Sequence, residues 1–229
     1  MFPRFLTALL LTAAILPVAN VSAQSVYVVH GIPGDDLGLP RELPVDVCLK
    51  DGTEVTADFK FGEIRGPLSL PPAAYELDIR LASQPSCQGT VVIPVSFLLS
   101  YGENAAVVAH LTEQGTIAAT KFVNDANALA PGKSRIVVRH GAAAPPVNIL
   151  VRRGQGSTFL KYLRNADQSV AKEVSDGVRK VTVYSAESGR KIAGPIDLNL
   201  EAGKATFVYA VGSLRNGTFT VVPQVIPLP

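Results

Sequence analysis

Apolar and polar residues alternate with period two along most of this chain; elsewhere they give way to short Val- and Ile-rich runs closed by Gly, Pro, Asn or Asp. Both patterns predict β-strands. The cleanest case is Tyr75 to Leu81, where Tyr75, Leu77, Ile79 and Leu81 face one way and Glu76, Asp78 and Arg80 the other. On this basis strands are expected near residues 26–30, 44–50, 54–60, 67–70, 74–82, 90–99, 105–111 and 115–123 of the first half. Lys50-Asp51-Gly52-Thr53 is a hairpin signal, because Asp-Gly accepts the positive φ angles of the primed turns. Helix is nearly absent; Lys161 to Lys172 holds helix-tolerant residues, but their 3.6-residue periodicity is weak.

The pattern occurs twice. Val26-Tyr27-Val28-Val29-His30-Gly31 returns as Arg135-Ile136-Val137-Val138-Arg139-His140-Gly141, and a Pro-containing loop leads each time to a second apolar run, Pro44 to Leu49 or Pro146 to Val151. Val178 to Tyr184 then takes the place of Tyr75 to Leu81, and the closing turn Glu113-Gln114-Gly115-Thr116 that of Arg215-Asn216-Gly217-Thr218. Two copies of one domain are the simplest explanation. Residues 124–134 break the pattern and read as a linker, which gives a first repeat over 24–123 and a second over 135–229. Seven or eight short strands per repeat predict an all-β protein of two tandem antiparallel β-sandwich domains, immunoglobulin-like or transthyretin-like, though the same pattern also suits barrels.

The ends of the chain set the expected compartment. Residues 1–23 read as a signal peptide: Arg4 supplies a positive start, Leu6 to Leu16 an apolar run too short to span a bilayer, and Val21-Ser22-Ala23 a cleavage site. The mature chain is expected to carry no transmembrane segment and to be exported, periplasmic or extracellular. Cys48 and Cys87 are the only cysteines. In an oxidising compartment they are expected to form a disulfide worth about 3 to 4 kcal/mol in the chain-entropy model; two buried thiols are the alternative. The second repeat has Leu150 where the first has Cys48, so such a bridge is a local staple.

A Val-rich strand, a His, a Pro-bearing loop and then Val45-Asp46-Val47 followed by a hairpin resemble the bacterial secreted modules known as domain of unknown function 4397, or DUF4397. Leu70-Pro71-Pro72-Ala73-Ala74-Tyr75 and Ala202-Gly203-Lys204-Ala205-Thr206-Phe207-Val208-Tyr209-Ala210-Val211-Gly212 are similar to two further motifs of those modules. The chain departs from the pattern in an insertion, Gly34 to Leu43, in Asn148 where an acidic residue is expected, and in Ala73-Ala74 in place of Ala-Gly. The resemblance implies exported β-sandwich repeats and carries no established activity.

Catalytic and metal chemistry find little to work with. His30 and His140 stand at matching positions, where a histidine before Gly is expected to bond a loop backbone; His110, alone on a Val- and Ala-rich strand, is expected to be a half-buried packing residue. No nucleophile elbow, His-Glu-x-x-His or phosphate loop is present, and Gly154-Gln155-Gly156-Ser157 reads as a hairpin turn. Gly34-Asp35-Asp36 with Asp46 offers oxygens but no Asp-x-Asp-x-Asp array, so a solvated turn is the better reading than calcium. No catalytic residue, metal or cofactor is assigned. The chain has no Trp, and Tyr75, Phe97, Phe207, Tyr209 and Phe219 lie within apolar alternation as core residues do, so lectin-like stacking is unsupported.

Charge is unevenly placed. Residues 24–127 hold six Lys and Arg against thirteen Asp and Glu, net −7, whereas residues 128–229 hold fourteen against six, net +8. The basic residues include the pairs Arg152-Arg153, Arg179-Lys180 and Arg190-Lys191. Such asymmetry steers association with opposite charge. It suits three uses: docking of the two domains, head-to-tail association of molecules, or contact of the second domain with an acidic polysaccharide or envelope surface. Nucleic acid is not expected, since no aromatic residues interleave the basic pairs. The chain is therefore expected to be a non-enzymatic binding or adhesion module contacting acidic surfaces through Arg152, Arg153, Arg179, Lys180, Arg190 and Lys191. A structural protein that self-associates through its acidic and basic halves is the alternative.

Overall fold

The computed structural model describes residues 24–229, so the signal-peptide expectation falls on residues outside those described. The alternation becomes strands nearly where it predicts them. The first eight are β1 (Gln24–His30), β2 (Val45–Leu49), β3 (Glu54–Phe59), β4 (Ile64–Leu70), β5 (Ala73–Leu81), β6 (Val91–Leu99), β7 (Asn104–Leu111) and β8 (Ile117–Val123). They form two four-stranded sheets, β4-β1-β7-β8 and β3-β2-β5-β6, closed over Val26, Val28, Val45, Val47, Leu77 and Val107. β9 (Lys133–Ala143), β10 (Val147–Arg153), β11 (Gly156–Leu163), β12 (Lys172–Ser175), β13 (Gly177–Ser185), β14 (Lys191–Leu200), β15 (Lys204–Ser213) and β16 (Thr220–Pro227) repeat the plan. Their sheets are β12-β9-β15-β16 and β11-β10-β13-β14, strand for strand the order of the first sandwich. In each repeat the opening strand pairs in parallel with the seventh, β1 with β7 and β9 with β15.

Residues 161–172 form no helix. Lys161 to Leu163 complete β11, residues 164–171 form a loop, and Lys172 opens β12. Leu160 is the cross-strand partner of Ile149 and, like Leu163, is buried in the second core, so burial against β10 overrides a propensity that lacked a helical apolar stripe. The Gly34 to Leu43 insertion contains a single 3-10 turn, Gly34–Leu37. Its Asp36 carboxylate accepts hydrogen bonds from Asn216 Nδ2 and, at 2.8 Å, from Thr218 Oγ1 in the other repeat.

A third apolar layer lies between the sandwiches. It gathers Val29, Ala106, Val108 and Phe122 from β1, β7 and β8, and Val137, Phe207, Tyr209, Val211 and Ile226 from β9, β15 and β16. Two sheets thus bury both faces, giving four layers in the order β3-β2-β5-β6, β4-β1-β7-β8, β12-β9-β15-β16, β11-β10-β13-β14. This explains why β7, β9 and β15 are buried along nearly their whole length, polar residues such as Arg135, Arg139 and His140 included. Phe207 and Tyr209 are core residues, as their apolar alternation implies, and the core they belong to is the layer between the repeats. The two His-Gly sites meet this seam reciprocally. A Cβ on Gly31 would stand 2.7 Å from Val211 Cγ1, and one on Gly141 3.0 Å from His110 Cβ. Val211 and His110 occupy equivalent positions of β15 and β7, so the repeats are related as by a two-fold axis.

At the centre of the seam stands Arg139, only 1% exposed and with no carboxylate partner among the described residues. Its Nη1 donates to Tyr209 Oη at 2.9 Å, its Nε to Gln168 Oε1 at 3.1 Å, and its Nη2 to Asn124 Oδ1 at 2.7 Å and the Val123 carbonyl at 3.3 Å. The guanidinium lies 4.5 Å from the centroid of Phe207, 4.9 Å from that of Phe122 and 5.4 Å from that of Tyr209. Burial pushes its pKa down from the ordinary value, and the Tyr209 hydroxyl opposes that shift. Neutral acceptors and ring faces replace the water a buried cation would otherwise need. Because Phe122, Val123 and Asn124 belong to the first half, this one side chain joins both repeats. Arg139→Ala would orphan four acceptors and open a void, so it is expected to lower stability by about 2 to 4 kcal/mol in denaturant unfolding. Arg139→Lys keeps the charge but not the planar fork, and should recover little of that loss.

Candidate binding face

The three histidines are fixed in place by backbone and hydroxyl groups. His30 Nδ1 accepts from the Ile32 N–H at 3.3 Å, which leaves the proton on Nε2 for the Leu43 carbonyl at 2.9 Å. His140 repeats the device, accepting from the Ala142 N–H at 3.4 Å and facing the Pro145 carbonyl at 3.2 Å. His110 is fully buried at the seam rather than half-buried, with Thr120 Oγ1 at 2.9 Å and the Leu111 carbonyl at 3.0 Å. Asp46 caps a loop: its carboxylate accepts the N–H groups of Asp58 at 3.2 Å, Ser83 at 3.2 Å and Cys87 at 3.0 Å. Asn148 does the equivalent for Tyr162 N–H at 2.8 Å, so the departure from an acidic residue keeps the acceptor. Among the described residues no three His, Cys, Asp or Glu side chains converge as metal ligands would.

The two outermost sheets differ. On the first, Asp46 and Cys48 point away from the core formed by Val45 and Val47, and the β5–β6 loop, residues 82–90, folds over them. Cys48 and Cys87 are joined by a disulfide with a Cα separation of 6.0 Å, which pins that loop across β2. Beside it the buried Asp78 carboxylate is held below the usual range by Lys50 at 2.8 Å and Arg80 at 2.7 Å. In the second repeat the corresponding β13–β14 connection is a short turn, residues 186–190, and carries no cysteine. The outer face of β11-β10-β13-β14 is therefore open.

Of the six basic residues expected to act together, three share that face. Arg152 and Lys180 are direct cross-strand partners on β10 and β13, and Lys191 pairs with Tyr184 on the same side. Lys180 is bonded to Asp197 at 2.9 Å, whereas Arg152 has no acidic partner among the described residues. Two like charges directly opposite each other repel, and Arg152 remains uncompensated. Arg153 and Arg179 lie on the other side of their strands: Arg153 Nη1 donates to the Asp176 carbonyl at 2.5 Å, and Arg179 Nη2 to the Ser175 carbonyl at 2.5 Å. Burial and then the neighbouring Arg153 push the Arg179 pKa down. Arg190 sits in the turn next to Lys191, four residue steps along β13 from Lys180, a reach of about 13 Å. Arg152 and Lys180 thus form one basic cluster, and Arg190 and Lys191 another.

Between the clusters lie Leu150, Thr182 and Tyr184, with Phe159 beside Leu150 at the β11 edge. Phe159 is 43% exposed, and Lys161 Nζ lies 5.8 Å from its ring centroid. Sequence reasoning missed these residues. The signal was present: Val147, Ile149 and Val151 fill the core, so Leu150 and Phe159 across from it had to face outward, as did Tyr184 across from Asn148.

The fold and this face together define a two-sandwich β-protein with an open, basic and partly apolar outer sheet. The chain belongs to the DUF4397 family, described as a domain of unknown function, whose model matches residues 24–150. No curated protein matches it. Among solved structures it is similar to a Bacteroides ovatus ATCC 8483 protein described provisionally as a cell adhesion protein, with 8% identity over 91% of this chain and 99% of that one and a TM-score of 0.29. It is likewise similar to the fimbrial anchor protein Mfa2 from Porphyromonas gingivalis, with 11% identity over 90% and 98% of the two chains and a TM-score of 0.27. Among the described residues no helix is long and apolar enough to cross a membrane.

The buried histidines set a pH response. Burial lowers the His30 pKa from 6.5 to about 4, and lowers those of His110 and His140 as well. The fold holds the neutral rings, so the unfolded chain protonates first. Stability should be complete above about pH 6.5 and fall as the pH drops towards 4, with His30 accounting for at most about 3 kcal/mol. Denaturant unfolding across that range should show the loss, and His30→Gln should make it shallower.

Proposed function

We propose that this is an exported, non-enzymatic module of the cell envelope or extracellular space, which contacts acidic polymers through the outer sheet of its second repeat. The observation that carries this reading is Arg152, uncompensated beside Lys180 on a sheet that no loop covers. A polyanion lying along β13 would offset the Arg152–Lys180 repulsion at one end and meet Arg190 and Lys191 at the other. Tyr184 and Leu150 between the clusters offer apolar contact to a sugar ring. The Cys48–Cys87 disulfide fits an oxidising compartment. The absence of enzymatic activity is in keeping with three histidines engaged by backbone carbonyls, amides and a hydroxyl. Arg153 and Arg179 belong to the support of this face, since they donate to the carbonyls of Asp176 and Ser175 where β12 turns into β13.

The mature chain should bind an immobilised uronic-acid polysaccharide, with affinity falling at least about tenfold as salt rises from about 0.05 to 0.5 M. Arg152→Glu with Lys180→Glu and Lys191→Glu should abolish retention. Arg215→Glu, in the β15–β16 turn, should leave it unchanged. Retention that survives the triple reversal would refute the reading.

A further inference from the structure

Two sheet edges, formed by the same strand in the two repeats, both expose apolar side chains and carry opposite charges. The four sheets leave eight outer strands, each a row of backbone groups that another chain could pair with. Four of them are interrupted by proline: β4 by Pro67, β6 by Pro94, β14 by Pro195 and β16 by Pro223. β12 has only four residues. β8 is tied to its neighbours through Lys121, which donates to the Leu98 carbonyl at 2.6 Å and to Glu103. The remaining two are β3 and β11, the same strand in the two repeats.

Their surroundings differ in a complementary way. Beside β3 an open groove of about 290 Å³ runs between the sheets, lined by Leu49, Val55, Leu68, Leu70, Tyr75 and Phe97. Glu54 lies in its wall, and Asp51 stands next to it in the β2–β3 hairpin. Beside β11 the connection to β12 is residues 164–171, against 60–63 in the first repeat, and it carries the exposed Val170 next to the exposed rings of β11. Phe159 is 43% exposed, Tyr162 51% and Val170 75%. Lys161 and Arg164 stand over the Phe159 and Tyr162 rings, and Lys172 adjoins Val170 in the same surface. One repeat thus offers an apolar groove with an acidic rim, and the other exposed apolar side chains around a shallow pocket whose rim carries Lys161, Arg164 and Lys172 against the single acid Asp167. They flank sheets separated by the two inner layers, so each faces away from the other within a molecule.

We propose that the β11 edge of one molecule docks in the β3 groove of a second copy. The contact is heterologous: each molecule keeps a free β3 groove or a free β11 edge, so association continues head to tail instead of stopping at a dimer. Like-charged rims would oppose β3–β3 and β11–β11 pairing, which leaves the mixed pair favoured. This contact does not depend on the acidic-polymer reading, since it uses neither Arg152, Lys180 nor Lys191.

Sedimentation velocity of the mature protein at low salt, without any polyanion, tests the proposal. The mean mass should rise with concentration beyond a dimer and fall back towards the monomer as salt is added. Phe159→Ser with Tyr162→Ser should raise the concentration of half-association at least about tenfold. Lys161→Glu with Lys172→Glu should do the same, and so should Glu54→Lys with Asp51→Lys. All four charge substitutions in one chain should restore association, a rescue that misfolding would not give. A monomer at every concentration, association unaffected by Phe159→Ser with Tyr162→Ser, or no rescue in the combined variant would overturn the proposal.

Discussion

The joint between the two sandwiches is centred on a buried cation that has no carboxylate partner among the described residues. Arg139 sits between two sandwiches, and its charge is shared among Asn124, Gln168, Tyr209, a carbonyl and three aromatic rings. A solvated arginine would lose its water there with little return, and the arrangement holds because nearly every donor is matched. The equivalent residue of the first repeat is Val29. Ala106 and Val108 likewise correspond to Phe207 and Tyr209. One repeat presents small side chains and the other large ones, so a two-fold arrangement of similar surfaces has become a fitted pair.

That seam decides which surfaces remain for function. It occupies the outer faces of β4-β1-β7-β8 and β12-β9-β15-β16, leaving the far sheets to meet the surroundings. The disulfide-pinned loop covers one of these and a short turn leaves the other open. Opposite net charge is not what fills the joint: among the described residues its ionic contacts are confined to Arg139 among neutral acceptors and ring faces and to the Arg135–Asp125 pair at 3.1 Å. Apolar side chains fill the joint, and the polar contacts at its margin, such as Asp36 to Thr218, are few and local.

The strands were legible in the sequence because a sandwich strand writes its two faces as alternation, and the repeat because the alternation, the His-Gly turn and the closing hairpin recur in order. Val-Val-His-Gly and Val-Val-Arg-His-Gly also marked the place of the seam, yet a strand buried on both faces has no polar side to betray which neighbour covers it. Arg139 read as one more basic residue of a basic half; only the third core shows that it points inward. For the same reason the six candidate residues divide. Adjacency in sequence puts Arg152 and Arg153 on opposite sides of β10, whereas pairing across β10 and β13 brings Arg152 to Lys180. The turn that leaves this face open was visible as a short connection, but its consequence depended on a loop in the other repeat doing the opposite.

If the seam makes the two repeats one body, they must unfold together. Scanning calorimetry of the mature chain with its disulfide intact reads this directly. A single transition is expected, with a calorimetric enthalpy equal to the van't Hoff enthalpy for all of residues 24–229. Two separable transitions, or a calorimetric enthalpy near twice the van't Hoff value, would show that the sandwiches are independent and that Arg139 joins nothing.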